Sequence, residues 1–287
     1  MRKIIRKFVR RFVGAREFET IDDALIRRKL KFLKKINKRH FDINDFETTL
    51  ISMGLKEGDC LIVHSSWRSF IGFDGKPEDI INSIKNIIGM SGTLIMPCYG
   101  INSNKFYYDE PSKAGIISEK FRQQQGTLRS LNSTFSMCAF GKYAKELLND
   151  HIDSKYCFDE KSPYFKAIKL NSKILLLGLG KKPHKITLFH CVTYNLKKRL
   201  SCYRNVYTLK KNVVIYDKAG NVIQRTVVDR QKKNQNNKKR FRKLFLKANR
   251  FLKYAKLNRL DIYLFEAEPV YNFSKNYIIR KKYNLYK

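Results

Sequence analysis

Acidic residues are scarce in this sequence: 25 Asp and Glu stand against 60 Lys and Arg in 287 residues, a formal net charge of +35. Such an imbalance works against polycationic partners and predicts attraction to anions, whether nucleic acid, an anionic membrane surface or phosphorylated ligands. Glycine (14), proline (6) and tryptophan (1) are also few, while Lys, Asn, Ile, Phe and Tyr abound. An AT-rich coding sequence produces the same bias and offers a second account of the charge. Apolar runs long enough to span a membrane are missing. Charges interrupt every apolar stretch near the start, so no signal peptide fits. The six cysteines (Cys60, Cys98, Cys138, Cys157, Cys191 and Cys202) lack CxxC pairing and the density of a stapled secreted domain. Reduced, mostly buried thiols in a cytoplasmic protein are expected. Neither a Walker loop nor a metal-ligand set with credible spacing is present.

What is present reads as a globular chain: 43% hydrophobic residues and 13% aromatics are enough for a sizeable core. In residues 1–13, pairs of apolar side chains (Ile4, Ile5, Phe8, Val9, Phe12, Val13) alternate with pairs of cations (Arg2, Lys3, Arg6, Lys7, Arg10, Arg11). A helix would put the two sets on opposite sides, the pattern of an interfacial helix on anionic lipid. The alternative is a helix docked on the core or on a partner subunit. We divide the chain into a basic amphipathic segment, 1–40, and an α/β domain, 41–287.

Strands alternate with helices along that domain, which favours an α/β fold. Cys60 to Val63 reads as a buried strand ending at His64-Ser65-Ser66. Pro77 to Ile88 repeats isoleucine at helical spacing and stops at Gly89. Thr93 to Met96 and Lys173 to Leu177 are further strands, the second ending in Gly178-Leu179-Gly180. Ser118 to Gln125 reads as a short helix capped by Ser118. Val213 to Tyr216 and Val222 to Val228 flank a turn and predict a hairpin. Residues 230–259 carry thirteen Lys or Arg and no acid, with Phe241, Leu244, Phe245, Ala248, Phe251, Leu252 and Ala255 at helical spacing. Asp261 to Ala267 reads as a last strand.

Strand ends opening onto polar turns are where α/β proteins gather their sites. Three such ends supply His64 to Ser69, Thr93 to Tyr99, and Gly178 to His190. The order of these motifs resembles the antibiotic N-acetyltransferase family, whose named members are aminoglycoside 3-N-acetyltransferases. The resemblance rests on Val63-His64-Ser65-Ser66, Gly92-Thr93-Leu94-Ile95-Met96-Pro97, the block from Gly115 through Glu119 and Arg122 to Arg129-Ser130, Ser136, Ser162-Pro163, Leu175 to Gly178, and the Thr-x-x-His ending at His190. It spans roughly residues 40–210. Gln123-x-x-Gly126 is only a partial echo of the GNAT phosphate loop and is discounted.

The resemblance implies a mixed-sheet α/β fold distinct from GNAT and acetyl transfer from acetyl-coenzyme A to an amine. It implies His190 as general base with Glu119 as its partner, and coenzyme contacts at His64, Ser65, Ser66, Arg129, Ser130 and Ser136. The chemistry agrees, since an amine attacks a thioester only when neutral and imidazole suits the removal of its proton. No metal is implied. Two positions depart from the family. The Glu that usually follows Thr-x-x-His at x-x-Glu is Thr193, and Arg-Ser-x-His-Pro becomes Arg129-Ser130-Leu131-Asn132-Ser133. If the missing Glu contacts a cationic acceptor, its loss argues against an aminoglycoside. If it belongs to the catalytic machinery, its loss weakens turnover. Together with Cys202-Tyr203-Arg204, which is similar to members encoded with surface-polysaccharide enzymes, the first account points to an amino sugar carried on a nucleotide or lipid pyrophosphate. The expected partners are that small molecule and, through residues 1–13, an anionic membrane at the inner face of the cell. Nucleic acid is not expected, because no nucleic-acid module is recognisable; a homodimer is compatible with this reading. Two alternatives stay open: an aminoglycoside 3-N-acetyltransferase that confers resistance, and a non-catalytic protein on the same scaffold that binds nucleic acid or another anion through Arg230 to Arg259.

Overall fold

The computed structural model describes residues 5, 9–14, 20–100, 104–180, 182–231 and 233–286. The amphipathic segment 1–13 therefore lies largely outside the described residues. Two helices lead in, α1 (Ile21–Ile36) and α2 (Ile43–Ser52). The second begins with a capping box: Asp45 N–H donates to Asp42 Oδ1 at 2.9 Å, and Asp42 N–H donates to Asp45 Oδ2 at 3.0 Å. Then follow β1 (Cys60–Ser65), α3 (Pro77–Ile88), β2 (Thr93–Pro97), β3 (Lys105–Tyr107), α4 (Ile116–Gln123), β4 (Leu128–Arg129), β5 (Met137–Gly141), α5 (Ala144–Leu148), α6 (Pro163–Lys169), β6 (Lys173–Leu177), α7 (Thr187–Asn195) and α8 (Ser201–Arg204). The hairpin β7 (Tyr207–Tyr216) and β8 (Val222–Arg230), α9 (Lys238–Lys247), β9 (Lys253–Leu257), β10 (Leu260–Glu266) and α10 (Ala267–Lys281) complete the chain.

Seven strands form one mixed sheet in the order β4-β5-β2-β1-β6-β10-β9. The three central strands, β2, β1 and β6, are parallel, and the strands outside them are antiparallel to their neighbours. Parallel strands buried on both faces read as unbroken apolar runs, as Leu61-Ile62-Val63 and Ile174 to Leu177 do. Their alternation divides the core in two. Ile62, Ile174 and Leu176 face α5, α6, α7, α9 and α10, whereas Leu61, Val63, Leu175 and Leu177 face α2, α3 and α4. A separate three-stranded sheet, β3-β7-β8, packs Phe106, Val213, Ile215 and Val227 into a small core of its own.

The expected α/β class, the hairpin and the strands at 60, 93, 173 and 261 are all found. Three expectations are corrected. Ser118 is not a cap: α4 starts at Ile116 behind Gly115, whose φ of +128° places it at the helix entry, and Ser118 is buried within the helix. The helical pattern of 230–259 holds only to Lys247, because Ala255 belongs to β9 and pairs with Ile262. The last strand closes at Glu266, and Ala267, expected at its end, opens α10; His190 sits inside α7.

Candidate active site

The parallel strands β1 and β6 end side by side. Ser66 N–H donates to the carbonyl of Leu177 at 2.9 Å, and Ser69 Oγ donates to that of Gly178 at 3.2 Å. Gly178 is obligatory there, since its φ is +73° and a Cβ would stand 2.3 Å from that of Ser69. The chain then turns through Pro183 to Lys185 and enters α7.

Every residue from Thr187 to Tyr194 is buried except His190, which is half-buried as a residue while its ring lies deep among aromatics. The ring lies parallel to those of Phe158 (centroids 5.8 Å apart, 17°) and Tyr286 (5.9 Å, 15°) and is tilted against Phe241 at 5.3 Å. Its Nδ1 is 2.8 Å from Tyr286 Oη. That hydroxyl is 2.8 Å from both Thr193 Oγ1 and Tyr207 Oη, which are 3.0 Å from each other, and Thr193 Oγ1 donates back to the His190 carbonyl at 3.0 Å. Two proton assignments satisfy the circuit: Nδ1–H donates to Tyr286 and Tyr286 to Thr193, or Tyr286 donates to Nδ1 and the ring proton on Nε2 turns to the His184 carbonyl; in both, Thr193 donates to the His190 carbonyl and Tyr207 to Tyr286. In the first of these tautomers the lone pair sits on Nε2, where a base would need it; in the second Nε2 carries the proton. The position that holds Glu in the family therefore carries a hydroxyl in a triangle of hydroxyls, and these orient the imidazole in place of a carboxylate.

Burial, with Arg230 adding to it, lowers the His190 pKa from 6.5 to about 3, against an opposing pull from the His184 backbone carbonyl. The ring is neutral at physiological pH. Arg230 itself bonds Asn236 and stands 5.4 Å over the Tyr286 ring. Nearby, Lys182, Arg68 and Lys238 together with burial depress Lys185, and Lys238, Lys185 and Lys182 together with burial depress His184. The rim beyond the β1 and β6 ends is thus cationic. It leads towards a cleft of about 660 Å³ bounded by Trp67, Arg68, Phe70, Arg27, Lys31 and the His40–Asp74 pair. Cys191 beside His190 is fully buried, and burial pushes its thiol well above the usual value, which leaves it inert as an acyl carrier.

The other residues singled out from the sequence lie elsewhere. Glu119 does not meet His190: α4 packs on the opposite face of the sheet from α7. Its carboxylate accepts from Arg122 at 2.7 and 3.0 Å, from Ser112 N–H at 2.7 Å and from Gln123 at 2.9 Å. Burial pushes its pKa up, but Arg122 and the Ser112 N–H outweigh this and hold it below the ordinary value. His64 is buried, 3.1 Å from Tyr164 Oη, with its pKa lowered to about 4 by desolvation. Arg129 gives its guanidinium to the carbonyls of Tyr108, Glu110 and Cys98, Ser130 Oγ accepts from Met137 N–H and lies 2.7 Å from His151, and Ser136 donates to Cys98. These side chains turn inward and hold the framework. Ser65 and Ser66 alone of the six coenzyme candidates keep partial exposure at the strand end. Sequence reasoning missed Tyr207 and Tyr286, which no motif marks; their only signal is the missing Glu, whose space something else had to fill.

Tyr286→Phe isolates that contribution. It removes one hydroxyl and leaves Thr193 and Tyr207 bonded to each other, a stability loss of about 1 kcal/mol. If the triangle orients the base, kcat falls about 10- to 100-fold with KM for acetyl-coenzyme A unchanged. An unchanged kcat would make Tyr286 mere packing.

Fold and site together define a mixed-sheet α/β protein with a half-buried histidine on the helix that follows its central parallel strand β6. Similar architecture occurs in solved aminoglycoside acetyltransferases: AAC(3)-IIb superposes with a TM-score of 0.72 at 17% identity over 85% of this chain and 98% of that one, and AAC-IIIb in binary complex with CoASH with 0.69 at 17% over 84% and 97%. The chain belongs to the aminoglycoside 3-N-acetyltransferase family, whose sequence model matches residues 62–279. Aminoglycoside N(3)-acetyltransferase IV of Salmonella sp is 28% identical over 138 residues, 46% of this chain. This chain spans about half the length of that curated relative (51%).

Proposed function

We propose that this protein transfers the acetyl group of acetyl-coenzyme A to an amino group of an amino sugar, with His190 as proton acceptor. One observation carries the reading: on a helix otherwise buried from Thr187 to Tyr194, the single half-buried residue is a neutral histidine held through Nδ1. A neutral amine attacks the thioester carbonyl, Nε2 takes the proton the nitrogen sheds, and as the tetrahedral adduct collapses that proton passes to the departing sulfur, so that coenzyme A leaves as the thiol. Cations beyond the β1 and β6 ends suit the coenzyme phosphates, as does the partial exposure of Ser65 and Ser66. The CoASH complex of AAC-IIIb supports the same donor.

Two acceptor classes follow from different observations. The names of the relatives support an aminoglycoside. The charge around His190 supports an amino sugar bearing phosphate, on a nucleotide or a lipid carrier: no carboxylate bonds His190 among the described residues, Arg230 acts on its ring, Lys238, Lys185 and Lys182 act on the neighbouring His184, and a polycation would be repelled. Residues 1–13 support a site at the inner membrane face for a lipid-linked acceptor. Among the described residues no helix is long and apolar enough to cross a membrane. Thiol release from acetyl-coenzyme A should be followed with aminoglycosides and with nucleotide-linked amino sugars in parallel. Turnover with either class supports acetyl transfer, and the ratio of kcat/KM decides between them. Failure of every amine to release thiol sinks the reading.

A further inference from the structure

The inner face of α9 packs Phe241, Leu244 and Phe245 into the core. Its outer face repeats Lys239, Arg242, Lys243, Leu246 and Lys247 at steps of three and four, all exposed, and Leu246 keeps 58% of its surface in contact with solvent at the centre of the cations. Beside it, α10 brings Phe273, Tyr277, Arg280 and Lys281 against Lys243, Lys247 and Arg250, so that contiguous hollows of about 400, 450 and 530 Å³ form one shallow groove between the two helices. None of these cations takes part in an ion pair among the described residues, and residues 230–259 contain no acid to neutralise them.

We propose that the α9–α10 face docks on an anionic phospholipid surface. Charge complementarity selects a polyanion, and two features select lipid over nucleic acid. An exposed leucine ringed by lysines gains from insertion among acyl chains while the ammonium groups stay at headgroup level, whereas a phosphodiester backbone offers that leucine nothing. Two of the groove's rings are also already covered on one face, where Arg250 stands 4.7 Å over Phe251 and 5.3 Å over Phe273, so no base can stack there. This surface lies on the solvent side of α9, away from His190, and is distinct from residues 1–13. Docking here would hold the enzyme at a membrane whether or not it acts on a lipid-linked acceptor.

The test uses the full chain and co-sedimentation with phosphatidylserine-rich vesicles, against pure phosphatidylcholine vesicles and a single-stranded oligonucleotide. The parent should sediment with the anionic vesicles and not with the phosphatidylcholine ones, and should prefer the anionic vesicles to the oligonucleotide. Lys243→Glu/Lys247→Glu should cut the bound fraction about tenfold or more. Leu246→Ser should weaken vesicle binding several-fold without touching oligonucleotide retention, because only lipid receives the leucine. Both variants alter exposed side chains, and an unchanged unfolding temperature verifies that they fold. Vesicle binding unaffected by these substitutions would assign it to another part of the chain and overturn the proposal. So would a preference for the oligonucleotide when both are offered.

Discussion

His190→Ala should lower acetyl transfer roughly 10²- to 10⁴-fold, the usual worth of a positioned general base, while acetyl-coenzyme A binding persists. Alanine opens a gap between Phe158, Phe241 and Tyr286, so part of any loss could come from collapse of the aromatic stack. His190→Asn separates the two effects: its amide can still reach the Tyr286 hydroxyl, yet it cannot take a proton at neutral pH. If both variants lose activity alike, the lost function is proton transfer; retention of the parent rate by the Asn variant would remove His190 from the chemistry.

The low pKa of the ring shapes the pH dependence. With the pKa down at about 3, the imidazole is already neutral through the whole range in which the protein works. Raising the pH therefore adds nothing to the supply of base. It does convert more acceptor from ammonium to amine, so kcat/KM should rise with pH through the acceptor's own pKa and show no inflection near 6.5. A base this weak cannot strip an ammonium ion; it serves an amine that arrives neutral. An anion bound beside Arg230 would offset the charge that helps depress the ring. An inflection near 6.5 that His190→Asn abolishes would contradict the depressed value.

Much of the framework was legible because it obeys local rules. Pro77 at the first turn and Gly89 at the end bound α3 as the isoleucine spacing predicts, and the three central parallel strands are runs of apolar residues that can only be buried. The site was legible only in part. The order of motifs points to His190, but it also pairs that residue with Glu119 across a sheet that a linear motif cannot show. The residues that do orient His190 come from positions 193, 207 and 286, nearly one hundred apart in sequence, and hydroxyls carry no signature that separates orientation from packing. Along α9 and β9, a run of cations with regular apolar spacing looked like one long helix. The break at Asn249 to Phe251 and the pairing of Lys253–Leu257 with Leu260–Leu264 are tertiary decisions, made where β10 offers its free edge.

Arg129→Met should destabilise the fold by about 2–4 kcal/mol, a fall in Tm of roughly 5–10 °C for a chain of this size, and leave KM for acetyl-coenzyme A near the parent value. The sequence resemblance places Arg129 on the coenzyme, but its geometry serves the protein. The residue is 5% exposed; Nη1 donates to the carbonyls of Tyr108 at 2.8 Å and Glu110 at 2.6 Å, Nη2 donates to that of Cys98 at 2.6 Å, and the guanidinium plane stands 4.8 Å over Phe106. Tyr108 and Glu110 follow β3 of the small sheet, whereas Cys98 follows β2 of the large one, so a single fork ties the two sheets together. Methionine fills the volume without donors. The Cys98 carbonyl keeps the Ser136 hydroxyl at 2.7 Å, but those of Tyr108 and Glu110 lose the Arg129 bonds. Lysine at this position can reach one carbonyl but not three, and should fall between the parent and the Met variant in Tm. The opposite pattern, a KM raised tenfold or more with Tm unmoved, would return Arg129 to the coenzyme and mean that the guanidinium leaves its three carbonyls when the ligand binds.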